Sequence, residues 1–366
     1  MRKICFVVTN AFQFNVLCRG QLEYFANQKD LEITLVCGGN QLDIEKLKTR
    51  NVGKVKFVNL IRQPSILVDF LTLIQLFWFF LFNRFDVVIY STPKALLLGS
   101  LASFLTFQNK RIALVRGRAY ENFEGYKRKI FELLDKICLN VSHQAIFISN
   151  ELMQMYLSEK LAHENKSYVI GAGSSNGVDT VKFSPLNVKK NSNIFSIIIM
   201  GRICFDKGIQ DLSKILKNLD SENLQIKIVG RVEDNQSQVV LDTLLTEYAY
   251  IEYYGHIDDP AAFFTQADLH LFLSHREGFG NVAIEAASCN VPTFCYDISG
   301  LKDSVMNNVS GKRFDFQDYI SIAKAINEAK ANPDRFKENY SGSRAWVLEN
   351  FSQEKVWKEY LRFYLL

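Results

Sequence analysis

The sequence predicts an α/β protein of two doubly wound, parallel-sheet domains, and three observations carry that expectation. At 366 residues the chain is too long for one ordinary core, and two domains of roughly 150–200 residues are the natural division. Short apolar, β-branched runs alternate with segments of helical period, the pattern of parallel strands joined by crossover helices. The alternation stops in "SSNGVDTVKFSPLNVKKNSN", residues 174–193, which is polar, carries Asn-Gly and a proline, and has no periodicity; it then restarts.

The first half opens with the β-rich run "KICFVVTN", followed by "NVLCRGQLEYFANQ" with helical period. "EITLVCGG", "DVVIYST", "KRIALVRG" and "HQAIFIS" repeat the strand type, the last leading into the helical "NELMQMYLSEKL". Residues 3–170 therefore read as one α/β sandwich. The second half gives "FSIIIMG", a helix from about Lys207, "QIKIVG", the helical "DNQSQVVLDTLLTEY", then "YIEYYG", "ADLHLFLS" and "VPTFCY". "SQEKVWKEYLRFYLL" closes the chain as a helix with an aromatic stripe. The expected divisions are 1–175 for the first domain, 176–193 for a linker, 194–345 for the second domain and 346–366 for the terminal helical segment.

Composition narrows the class. Hydrophobic residues make up 48% and charged residues 22%, which suits a globular chain rather than a disordered one. The seven cysteines, at 5, 18, 37, 138, 204, 289 and 295, form no C-x-x-C pair and are odd in number. That argues against a disulfide framework or a zinc site and suits a reducing cytoplasm. The five histidines show no ligand spacing, no D-x-D pair occurs, and no basic–aromatic interleaving of nucleic-acid type stands out. The most apolar segment, "ILVDFLTLIQLFWFFLF" at 66–82, is interrupted by Asp69 and Gln75 and falls short of a spanning helix, so it reads as a buried or membrane-skimming one. Net charge is +4 overall, but residues 1–190 carry 25 Lys+Arg against 15 Asp+Glu (+10) and residues 191–366 carry 18 against 24 (−6). A basic half beside an acidic half suits a lobe facing an anionic partner, solvated surface being the plain alternative.

Open parallel sheets bind ligands beyond the carboxyl ends of their strands, and the second domain puts unusual residues there. In "IIIMGRICFDKG" a strand runs into Gly201 and Arg202, and Lys207 and Gly208 open the next helix. Cations oppose the dipole at a helix start, which leaves a phosphate- or diphosphate-binding role open beside a surface one. In "HREGFGNVAIEAASCNVP", beginning at His275, Glu277 and Glu285 frame a Gly-rich turn from strand to helix. Gly278 and Gly280 allow close backbone approach, and the helix from about Asn281 offers N–H groups to an anion. A carboxylate accepts two hydrogen bonds from vicinal hydroxyls, so two glutamates at such a turn suit a sugar. A lone Glu there would be an ordinary dipole-stabilising residue. "GAGSSNG", 171–177, is not followed by a helical run and reads as a loop.

Arg202 and Lys207, the pair Glu277/Glu285, "NGVDTVKFSP", "GHIDDP" and "ADLHLFLSHREGFGNVAIEAASCNVP" together resemble the retaining glycosyltransferases of family 4, and within them bacterial capsule, O-antigen and lipid-linked oligosaccharide enzymes. The resemblance is strong over 170–310. It implies the GT-B fold, two Rossmann-like domains facing a central cleft with the C-terminal helix packing back on the first. It further implies a nucleotide-sugar donor, commonly a UDP-sugar, in the second domain and a glycan acceptor, polyprenyl-diphosphate-linked, at the first. On that reading Arg202 and Lys207 hold the diphosphate, Glu277 the donor sugar and Glu285 the ribose, while Gly201, Gly278 and the amides of Phe279, Gly280, Asn281 and Val282 complete the donor site. No metal or other cofactor is expected, and the enzyme would work from the cytoplasm on the inner face of an anionic membrane. "KRK" at 127–129 adds to the basic first domain.

Three departures stand out. After the first strand, "TNAFQFNVLCRG" holds only Gly20 where relatives have a Gly-rich turn. In "LVRGRAYEN" no histidine follows the fifth strand, and Arg116 or Arg118 either holds an acceptor phosphate or anchors the loop. Asn290 stands where a glycine is usual. A soluble-acceptor transferase, a nucleotide-sugar epimerase of the same fold and a non-catalytic sugar-nucleotide-binding subunit are the alternatives.

Overall fold

The computed structural model of the chain describes residues 1–118, 120–121, 123–185 and 193–366. Its contacts divide it into two units, Met1–Asn176 with Gln353–Leu366, and Gly177–Ser352.

The first unit is built on strands β1 (Arg2–Asn10), β2 (Leu31–Gly38), β3 (Lys54–Phe57), β4 (Val87–Ser91), β5 (Lys110–Val115), β6 (Gln144–Phe147) and β7 (Ser167–Val169). They pair in the order β3-β2-β1-β4-β5-β6-β7, and every pairing is parallel. The chain winds outward from β1 to one edge, then returns to fill the other, which places the topological switch between β1 and β4. The central strands are buried on both faces and read as the apolar runs of the sequence. The edge strands β3 and β7 escape that reading because "KVKF" and "SYV" are mostly exposed or half-buried. Backbone pairing, not side-chain burial, makes them strands.

Helical period over 15–28 resolves into two helices, Ala11–Leu17 and Gln21–Ala26. Gly20 divides them with φ +78, pressed against the Trp357 ring. Asn10 caps the first with a capping box to Gln13, so this turn is made by side-chain capping where a Gly-rich loop is usual. The apolar segment 66–82 is one helix, Ile66–Phe82, and buries only Thr72, Leu76 and Phe80. The terminal helix, Gln353–Leu365, belongs to the first unit and buries Val356, Tyr360, Leu361 and Tyr364, a stripe at helical spacing. Tyr360 donates to the Ser174 carbonyl at 2.9 Å, and Trp357 Nε1 donates to the Asn176 carbonyl at 3.0 Å.

The second unit repeats the winding with β8 (Phe195–Met200), β9 (Leu224–Val229), β10 (Ile251–Tyr253), β11 (Leu269–Phe272), β12 (Thr293–Tyr296) and β13 (Gly311–Phe314), ordered β10-β9-β8-β11-β12-β13. Its core joins the strand residues Ile197, Ile226, Ile228 and Leu271 to Leu212 and Ile215 of the helix Ile209–Leu216. Among the described residues, then, both units carry the doubly wound α/β architecture.

The expected divisions shift. Residues 177–185 do not behave as a linker but pack on the second unit: Val178 bridges Ser352, Phe183 lies against Phe264, and Arg344 donates to the carbonyls of Thr180 and Phe183. A polar stretch without periodicity is held here by two isolated apolar side chains, Val178 and Phe183, and by backbone carbonyls, which leave no trace in residue type. The rest of the expected linker, 186–192, lies outside the described residues. Residues 346–352 also belong to the second unit, within the helix Ser343–Phe351; the segment that joins the first unit begins at Gln353.

Candidate active site

In the second unit the switch point lies between β8 and β11, and the loops leaving these two strands carry most of the residues singled out from sequence. β8 ends at Met200; Gly201 follows with φ +143 and open space where a side chain would stand. The helix expected near Lys207 starts later, at Ile209, after a single 3-10 turn over Phe205–Lys207. Gly208 makes the joint with φ +75, its α-carbon so close to the Leu273 carbonyl that an added Cβ would stand 1.9 Å from the oxygen. This contact welds the Lys207 loop to the end of β11.

Further bonds tie the same two loops. His275 N donates to the Asp206 carbonyl at 2.9 Å, and Arg276 Nη2 pairs with Asp206 Oδ2 at 2.6 Å. Beneath them lies Asp211, buried, which accepts from His275 Nε2 at 2.6 Å, Tyr296 OH at 3.0 Å and Tyr319 OH at 3.0 Å. The outcome is that Lys207 Nζ and Glu277 Oε1 form an ion pair, both side chains largely withdrawn from solvent. Two residues 70 positions apart are thus held together. Sequence reasoning passed over Asp211 and His275, though a carboxylate among Ile209, Leu212, Ile215 and Leu216 on the buried face of a helix was a legible signal.

Arg202 stands differently. Its side chain is 57% exposed and pairs with Glu233 at 2.7 Å, an exposed partner that contributes little to stability. Arg202 and Lys207 do share a neighbourhood: the Cys204 thiol is pushed up by burial and drawn back down by the charge of both.

The Gly-rich turn behaves as a backbone feature. Phe279 is buried, its ring edge-on to Phe351 at 5.4 Å, so only its main chain is offered to a ligand. Gly280, left-handed at φ 81 and ψ 51, starts the helix Asn281–Ser288. An added Cβ there would stand 2.4 Å from Leu301 Cδ2. Asn281 is exposed and Val282 half-buried at the first turn, where backbone N–H groups have no acceptor within the helix. Gly278 is half-buried, just after Glu277, whose carbonyl packs on Gly300. Glu285 sits one turn on. Its surface is partly open, yet burial of the carboxyl raises its pKa to about 7, with the charge of Lys182 acting the other way. Lys182, which sequence reasoning quoted but gave no role, is therefore part of this corner.

On the first unit, Arg116 at the end of β5 donates to Ser91 Oγ at 3.0 Å and bonds Ser175 Oγ, both within its own unit. Beside it Thr92 holds φ 78, a backbone region that β-branched residues avoid. Arg118 is an anchor: it is buried, forks onto both carboxylate oxygens of Glu159, and lies over the rings of Tyr120 and Tyr156. Its guanidinium faces the interior and does not offer itself to an acceptor phosphate. Arg118→Met is expected to cost about 2 kcal/mol, the scale of hydrogen bonds to charged groups; an unchanged thermal unfolding midpoint would contradict this placement. Among the described residues, no group of three His, Cys, Asp or Glu is arranged to hold a metal ion.

Comparison with known proteins shows the family. Residues 181–343 match the model of the family described as glycosyl transferases group 1. The capsular polysaccharide biosynthesis glycosyltransferase CapM of Staphylococcus aureus is 32% identical over 355 residues, covering 94% of this chain and 92% of its own length. The chain belongs to the group 1 glycosyltransferases. A UDP-Gal:α-D-GlcNAc-diphosphoundecaprenol α-1,3-galactosyltransferase of Escherichia coli is 25% identical over 287 residues, 73% of this glycosyltransferase and 72% of the relative. Among solved structures, HepE of Anabaena in complex with UDP superimposes with a TM-score of 0.80 at 16% identity, over 99% of each chain. The fold of this glycosyltransferase is thus of the GT-B type.

Proposed function

We propose that this glycosyltransferase moves a sugar, with retention, from a UDP-sugar to a polyprenyl-diphosphate-linked glycan in the building of a bacterial surface polysaccharide. The observation that carries the reading is the Lys207–Glu277 pair beside the Gly-rich turn at the switch point of the second unit. A cation held by a carboxylate is oriented before any ligand arrives. Lys207 meets the diphosphate while Glu277 turns to the donor-sugar hydroxyls. Arg202, exposed and held only by a surface pair, swings onto the same diphosphate. The amides of Phe279 to Val282 face the phosphate and sugar, and Glu285 accepts from the ribose. The anomeric carbon–oxygen bond breaks with its electron pair leaving on UDP. The acceptor oxygen bonds to the same face of that carbon, and its proton passes to the departing phosphate oxygen. Stabilising the UDP charge is the main demand, and fixed cations and helix N–H groups meet it without a metal. The E. coli and S. aureus relatives support the lipid-linked acceptor and the capsular context, and the UDP held by HepE supports the donor class.

The test is UDP release and product mass, with a panel of UDP-sugars against lipid-linked acceptors in detergent, with and without EDTA. Mass gain of one hexose or N-acetylhexosamine on the lipid acceptor, undiminished by EDTA, is expected. Transfer only to soluble acceptors, or activity restored only by Mn²⁺ or Mg²⁺, would refute the corresponding part.

Glu285 adds a pH dependence. Its carboxyl titrates near 7, so donor affinity is expected to fall as pH drops through 7 and the acceptor lone pairs are lost to protonation. Glu285→Gln should bind UDP more weakly, with that pH dependence gone. In the free protein the linkage runs the other way. The folded carboxyl keeps its proton to higher pH than the unfolded one, so it costs stability above about pH 7, a cost relieved as pH falls towards 4.5. Glu285→Gln should therefore melt higher than wild type at pH 8 and no higher at pH 4.5.

A further inference from the structure

The helix Ile66–Phe82 of the first unit has an outer face that nothing among the described residues covers. Leu67, Phe70, Leu71, Ile74, Trp78 and Phe82 are all exposed along it, Trp78 at 52% and Phe82 at 77%. They recur at spacings of three and four and so form one stripe, interrupted on the exposed side only by Gln75. At its C-terminal end Arg84 donates to the carbonyls of Thr106 and Phe107, which brings the exposed Phe104, Leu105 and Phe107 alongside. Trp78 and Phe82 stack at 5.8 Å. The one carboxylate of the helix, Asp69, is neutralised by an ion pair to Lys94. The charge around the patch is predominantly positive: Arg62 before the helix, Arg84 after it and Arg111 over the Phe104 ring stand against one exposed carboxylate, Asp86, two residues past Arg84.

We infer that this stripe is the element by which the enzyme lies on an anionic bilayer, an inference that rests on the lipid-linked acceptor proposed above. The helix has 17 residues, about 25 Å at 1.5 Å per residue, and no helix among the described residues is long and apolar enough to cross a membrane. It therefore lies in the interface, its aromatic rings at headgroup level and its basic rim against lipid phosphates. Charge decides between a bilayer and a second copy of the chain. The first unit carries 25 Lys+Arg against 16 Asp+Glu, a net +9, and the second carries 18 against 23, a net −5. Two copies meeting by this face would set one basic rim against another, whereas an anionic surface complements it.

The experiment is sedimentation of the full chain with vesicles of phosphatidylcholine alone or with phosphatidylglycerol, at low and high salt, beside light scattering without lipid. Binding to the phosphatidylglycerol vesicles, weakened by salt, with a blue shift of tryptophan emission that Trp78→Phe abolishes, is expected. Phe70→Ser/Trp78→Ser/Phe82→Ser should weaken partitioning by about tenfold or more while UDP affinity stays unchanged. Undiminished binding of that variant, no binding by wild type, or a lipid-free dimer that the triple variant dissolves would each overturn the inference. Vesicle binding needs neither donor nor acceptor. Transfer to lipid-linked acceptor in detergent without vesicle binding would sink the stripe alone; vesicle binding without such transfer would sink the acceptor alone.

Discussion

Lys207→Ala is expected to lower kcat by about 10²–10³-fold, the loss seen when one fixed donor to a developing negative charge is removed, equivalent to about 2.7–4 kcal/mol. In the proposed function the side chain contributes charge at the diphosphate, and its ion pair with Glu277 holds it in place beforehand. Some stability should be lost as well, because Glu277, only 14% exposed, is left without its partner, so kcat is compared where both proteins are fully folded. Glu277→Ala removes the restraint on Lys207 together with the proposed sugar contact, so the two losses should not add. A double variant no slower than the worse single one is the expected signature of a shared unit. Lys207→Ala turning over at wild-type rate with intact unfolding behaviour would remove Lys207 from the chemistry.

Gly208→Ala is expected to fail more completely, and for a backbone reason. The residue holds φ +75, and a Cβ would sit 1.9 Å from the Leu273 carbonyl oxygen, an atom of the β11 exit that cannot swing aside. Left-handed strain costs about 1–3 kcal/mol, and overpacking a tight contact about 1–3 kcal/mol more. Relief requires the Lys207 loop to part from the Glu277 loop, so thermal stability and kcat should fall together. Gly201→Ala is the control: it too has positive φ, but open space stands where its Cβ would go. Its stability loss should be limited to the backbone strain. Equal losses at both positions would show that the welding contact is immaterial.

How much of the site was legible before the structure depends on what each residue uses to act. Charge and spacing announce Lys207, Glu277 and Glu285, because a cation at an expected helix start opposes the dipole and two carboxylates together frame one Gly-rich turn. Asp211 is announced only by lying among the apolar residues of a helix, and His275 by nothing; the two become a hub only when Tyr296 and Tyr319 arrive from distant strand and helix. Arg118 shows the converse. Beside Arg116 in a loop it is a plausible anion ligand, but burial against Glu159 makes it part of the interior.

The sequence by itself determined that this protein is two doubly wound α/β units, since the core strands must be apolar runs and the crossover helices must carry a periodic face. It also placed the candidate donor-site residues in the loops after β8 and β11. Only the tertiary structure decided the unit boundaries at 176/177 and 352/353, because residues 177–185 are held by two isolated apolar side chains without periodicity and by main-chain carbonyls that accept from any donor within reach. Tertiary structure likewise decided that β3, β7 and β13 are strands, because a ladder of backbone hydrogen bonds does not depend on side-chain identity. The same holds for helix Ile66–Phe82. Its apolarity was plain in the chain, but only packing could show that Thr72, Leu76 and Phe80 suffice to dock it and that the rest of its apolar surface faces outward.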